Sequence, residues 1–66
     1  MKVFLKMKGQ ERYLVSPEVW TADVTEAQNF KSFLAVLDYC REHRIMNVEA
    51  VFWFEDPAYN FVLKLF

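Results

Sequence analysis

Val48-Glu49-Ala50-Val51-Phe52-Trp53-Phe54 holds one charge, two β-branched valines and three consecutive aromatics. That composition suits a pleated strand, where branched and bulky side chains pack against their neighbours, better than a helix. Successive side chains of a strand point to opposite faces. Val48, Ala50, Phe52 and Phe54 therefore share one face, and Glu49, Val51, Trp53 and Glu55 share the other. The first face is wholly apolar and needs a cover. The second is mixed, and how the flanking sequence treats the two faces sets the architecture.

Downstream, Glu55-Asp56-Pro57-Ala58-Tyr59 reads as a turn, because proline presets φ and aspartate can bond the backbone ahead of it. Phe61-Val62-Leu63-Lys64-Leu65 alternates again and makes a last strand, with Phe61, Leu63 and Leu65 on one face. Upstream, Asn47 is the residue best able to take a left-handed conformation before the central strand. Ser32 is a good N-cap, and Phe33, Leu34, Val36, Leu37 and Cys40 then recur at helical spacing, with Asp38, Arg41 and Glu42 opposite. Arg41, His43 and Arg44 suit the negative end of the helix dipole. Thr25-Glu26-Ala27-Gln28 fits a capping box, and Ala27 and Phe30 extend the apolar stripe backwards. A helix running from Thr25 to His43 is thus the alternative to one that starts at Ser32.

Near the N-terminus, Val3-Phe4-Leu5-Lys6-Met7 alternates as a first strand, and Lys8-Gly9-Gln10-Glu11 contains the one glycine of the chain, suited to a positive φ in a hairpin turn. A second strand runs from Arg12 to Ser16, and Pro17 ends it or marks an edge irregularity, since proline cannot donate to a ladder. Trp20, in the following connection, is placed as an anchor over an open end of the core. The order strand, strand, helix, strand, strand predicts a single α+β domain over residues 1–66. Its sheet is four-stranded and mainly antiparallel, with one helix packed on one face.

Composition narrows the class. Sixty-six residues supply one core, and a chain this short needs an additional source of stability. Cys40 is the only cysteine, so disulfides are not that source, and the count favours a reducing cytoplasm. One His and one Cys make a poor metal ligand set, and no cofactor motif is present. Association with another chain is then the expected source. No apolar run approaches the roughly 20 residues of a membrane helix. Lys6 breaks the N-terminal apolar run too early for a signal peptide.

With the helix on the Val3, Leu5, Leu14, Ala50, Phe52, Phe54, Phe61, Leu63 and Leu65 face, the opposite face displays Phe4, Tyr13, Val15, Val51, Trp53, Val62 and Phe66 among Lys2, Lys6, Lys64, Glu49 and Glu55. A large apolar patch exposed on a monomer generally marks an interaction site. Phe4, Val51, Trp53, Val62 and Phe66 are accordingly the expected interaction face of a non-enzymatic protein–protein module, a homodimer by first choice or else a binder of another protein. The alternative cover is the Glu18–Asn29 segment folding back over this face with Trp20 as its plug.

A second functional reading is a single-strand nucleic-acid platform, with Phe4, Trp53 and Phe66 stacking bases amid Lys2, Lys6 and Lys64. Glu49 and Glu55 on the same face, a net charge of −1 and the lack of a basic stripe weigh against it. Enzymatic readings are weaker. Cys40 lies in an apolar stripe where a thiol behaves as a small hydrophobe, and His43 offers no third partner for a nucleophile. Asp38 with Glu42 reads as a solvated helix pair, and turn duty accounts for Asp56 beside Glu55. No catalytic residue is expected.

At Trp20-Thr21, Ala27-x-x-Phe30-x-Ser32 and Tyr39-Cys40 the chain resembles a group of short bacterial proteins of unknown function, over the span from Tyr13 to Leu65. The resemblance implies a bacterial, cytoplasmic protein. Its motifs are packing and capping residues, so it implies no activity or ligand.

Overall fold

A computed structural model describes residues 1–65. Five strands and one α-helix follow in the order β1 (Lys2–Met7), β2 (Tyr13–Ser16), β3 (Val19–Thr21), α1 (Phe33–His43), β4 (Val48–Trp53) and β5 (Phe61–Lys64). All pairings are antiparallel, and the strands lie side by side as β3-β2-β1-β4-β5. The α+β class holds, while the expected four-stranded β-β-α-β-β order is short by one strand.

The extra strand, β3, arises at Pro17. Proline ends β2 as expected, but its fixed φ also suits the second position of a tight turn, and Glu18 takes the left-handed φ of 69° that the third position of a type II turn requires. The chain reverses over these two residues, and Ser16 comes to face Val19. Trp20 then lies opposite Leu14 on the helix side of the sheet, where it packs on the core. It is a strand residue there, and it does not plug the second face.

The turn after β1 forms as its sequence dictates, with Gly9 at φ 76°. Asn47 takes its left-handed conformation at φ 60°, and Arg44 at the end of α1 takes another at φ 54°. Of the two helix starts, Ser32 is the one observed: its Oγ accepts from the Ala35 N–H at 3.1 Å. Thr25 does not open a capping box. Residues Val24–Glu26 form one 3-10 turn capped instead by Asp23, whose carboxylate accepts from the Thr25 hydroxyl at 2.6 Å and the Thr25 N–H at 3.0 Å. These bonds hold the Asp23 carboxyl below its usual pKa.

β1 and β2 pair only at Lys6 and Tyr13. Beyond that pair they splay, and the connection before α1 fills the gap. The Gln28 N–H donates to the Leu14 carbonyl at 2.8 Å, the Phe30 N–H donates to the Val3 carbonyl at 2.8 Å, and Asn29 Oδ1 accepts from the Val3 N–H at 3.1 Å. Phe30 is thereby driven into the core beside Tyr39, with ring centroids 5.0 Å apart. The core joins Val3, Leu5, Leu14, Val48, Ala50 and Phe52 of the sheet to Phe30, Val36 and Cys40. Leu34, expected in the helix stripe, is 66% exposed, because it stands more than half a turn around the helix from Val36.

Candidate interaction surface

The second face of the sheet differs from its expected state at its centre. Phe4 is 4% and Val51 6% exposed within a single chain. They lie opposite each other on β1 and β4. Trp53 and Tyr13 both meet Phe4 edge-on, with centroids at 5.5 and 6.5 Å. Lys6 and Glu49, one step along the same ladder, form an ion pair at 3.2 Å. The turn carrying Val24, Thr25 and Ala27 closes one end, leaving a cleft of about 250 Å³ against Lys2, Phe4 and Trp53. Part of the connection after β3 thus does border this face, but through Val24–Asn29 and not through Trp20.

Of the expected interaction residues, Phe4 and Val51 are buried, Trp53 is half-buried and Val62 is 52% exposed. Phe66 lies outside the described residues. Val62 lies on the outer strand directly opposite Val51, at the open edge of this face.

Exposed apolar surface gathers instead along β5. Phe61 and Leu63 belong to the helix-side face, opposite Phe52 and Ala50, yet they are 48% and 42% exposed. The cause is width. A helix about 10 Å across covers two or three strands spaced about 4.8 Å apart, so a five-stranded sheet under one helix leaves an edge uncovered. The sequence reading put Phe61 and Leu63 in the core because it counted faces and not widths. Phe54 stacks on Phe61 at 6.1 Å, and Phe52 meets Phe61 at 4.5 Å, so the edge aromatic is held in place while remaining open to water on its outer side.

The two edges of the sheet differ. β3 has three residues, its pairing shifts register between Leu14 and Ser16, and Pro17 adjoins it. Short length, irregularity and proline are the usual means of blunting an edge. β5 pairs without a break through Glu49–Lys64, Ala50–Leu63, Val51–Val62 and Phe52–Phe61, and Lys64 is its only charge. Asn60 fixes its start: its side-chain oxygen accepts from the Phe54 N–H at 2.7 Å. The importance of Asn60, like that of Asn29, had no signal in the sequence beyond the general ability of asparagine to bond backbone.

The other reactive groups are explained locally. Cys40 is buried in the core, and burial raises its thiol pKa. His43 lies against the Tyr39 ring at 4.3 Å. Asp56 caps the 3-10 turn Pro57–Tyr59 by accepting from the Ala58 N–H at 3.0 Å. Asp38 pairs with Arg41 at 3.4 Å on the exposed side of α1. Among the described residues no group of His, Cys, Asp and Glu is placed to hold a metal ion, and no helix is long and apolar enough to cross a membrane. A groove of about 600 Å³ lies at the end of α1, between Leu37, Cys40, Arg41, Arg44, Ile45 and Met46.

No family model, curated protein or solved structure matches the chain.

Proposed function

We propose that this protein is a small non-enzymatic interaction module that works by associating with another protein chain, a second copy of itself foremost. The observation that carries the reading is the outer strand β5, where Phe61, Val62 and Leu63 are consecutive, apolar and each about half-exposed. An unbroken apolar edge strand is a template for further strand pairing. Leu34 and Met46 add exposed apolar surface on the helix side. The reading sets the protein in a reducing bacterial cytoplasm, supported by its single cysteine and its resemblance at Trp20-Thr21 and Tyr39-Cys40 to short bacterial proteins.

The nucleic-acid alternative finds less support. A stacking platform needs open aromatic faces and free cations. Phe4 is buried edge-on against Trp53 and Tyr13, and the Lys6 ammonium is engaged by Glu49.

Light scattering over a dilution series tests the reading. The expected mass is twice the 7.9 kDa of one chain, about 16 kDa, persisting to low micromolar concentration. A monomer at every concentration overturns self-association.

A further inference from the structure

We infer that two copies join edge to edge through β5, antiparallel about a twofold axis at Leu63, so that the two five-stranded sheets become one sheet of ten strands. The inference rests on the self-association reading and adds to it the contact and its register.

The backbone of β5 determines which groups are free. In an antiparallel pair a residue that exchanges hydrogen bonds with its partner strand alternates with one whose N–H and C=O point away. The Leu65 N–H donates to the Val48 carbonyl at 3.3 Å, which sets the phase. Phe61, Leu63 and Leu65 therefore turn their backbone groups to β4, and Val62 and Lys64 turn theirs outward. Asn60 shares that outward phase, but its N–H is already given to the Pro57 carbonyl at 3.1 Å.

Three twofold registers bring Val62 and Lys64 opposite themselves or each other. Centred on Lys64, the pairing sets two ammonium side chains directly across from one another, which is destabilising. Centred on Val62, it sets Lys64 across from Asn60 of the second copy, whose N–H is engaged. Centred on Leu63, it sets Val62 across from Lys64 of the second copy, twice by symmetry, and every outward N–H and C=O of both residues gains a partner. The same register brings Leu63 against Leu63 and Phe61 against Leu65 of the second copy on the helix side. It thus covers the two core-face residues that α1 does not reach. The strand is complementary to itself in backbone bonding and apolar surface, and this register keeps the two Lys64 side chains from facing each other directly, which is why the occupant is a second copy.

Two variants test the contact. The Val62 N–H points away from β4, so Val62→Pro removes no bond within one chain. It is expected to leave the circular dichroism spectrum unchanged and to raise the midpoint concentration of the dimer about a hundredfold or more. Leu63 and its symmetry mate form a non-hydrogen-bonded pair, with Cα atoms about 4.5 Å apart, within disulfide range. Leu63→Cys is therefore expected to cross-link on mild oxidation. Phe61→Cys and Lys64→Cys, whose symmetry mates stand farther off, are expected not to, and buried Cys40 gives no background in the parent protein. A dimer by mass that survives Val62→Pro, or that fails to cross-link through Leu63→Cys, overturns edge pairing and leaves the interaction-module reading standing. A parent protein that is monomeric throughout overturns edge pairing and self-association together.

Discussion

Lys6 and Glu49 stand directly opposite on β1 and β4, with 3.2 Å between ammonium and carboxylate, and their side chains are only 14% and 12% exposed. The pair sits next to Phe4 and Val51 on their own strands, so its carbon stems help cover the centre of the second face. An ion pair shielded to this degree gains more than one in open water, though it also carries a larger desolvation cost. The coupling energy from a double-mutant cycle of Lys6→Met and Glu49→Gln is expected to be about 1 kcal/mol. A cycle that closes at zero would falsify a stabilising role for the pair.

The Tyr39 hydroxyl is withdrawn from water and has no hydrogen-bond partner among the described residues, while its ring packs edge-on against Phe30. Phenylalanine keeps the ring contact and removes the unpaired group. Tyr39→Phe is therefore expected to leave stability equal or raise it by up to about 1 kcal/mol, read as the urea midpoint. A loss of stability would show that the hydroxyl has a partner.

Burial raises the Cys40 thiol above its ordinary pKa of 9.0. Tyr39 is raised above 10.0 by burial, with Glu42 and Cys40 adding repulsion, and Tyr13 by burial and its bond to Glu11. For each of these groups the folded state favours the protonated form. Its contribution is complete below the unfolded pKa and is lost as pH rises through the folded one. Thermal stability is expected to decline above pH 9, and a disulfide reagent at pH 8 is expected to label Cys40 far more slowly in the native protein than in denaturant. Equal labelling rates would contradict the buried thiol.

Gly9 has φ 76°, and a Cβ built there meets nothing within 4 Å. The cost of Gly9→Ala is therefore conformational and not steric, about 1 kcal/mol. Gly9→Asn is expected to cost less, because asparagine tolerates the left-handed region. Chemical denaturation of the two variants compares them. Equal losses would point to the side chain and away from φ.

Local chemistry made most of this fold legible. Gly9, Ser32, Asn47 and Asp56 each do what their type favours, and the alternation in Val48–Phe54 separates the covered from the mixed face. What local chemistry lacks is extent and reach. Pro17 stops β2 and also turns the chain, and three residues of β3 are too few to announce themselves. The burial of Phe4 depends on neighbours brought from Tyr13 and Trp53. The exposure of Phe61 and Leu63 depends on how far one helix spreads over five strands, a quantity no residue type encodes.

The strand at the centre of the sheet is the one nearest the N-terminus, and its long partner β4 joins it more than forty residues later, with Lys6 meeting Glu49. During synthesis β1 therefore has only the short β2 hairpin, the Asn29–Phe30 connection and α1 for company until residues 48–53 leave the ribosome. The intervening loop must then close before the core gains its floor. Closing so long a loop ahead of any large burial is entropically slow. The rate at which this small chain reaches its native state is therefore expected to follow the arrival of β4 and not the winding of α1.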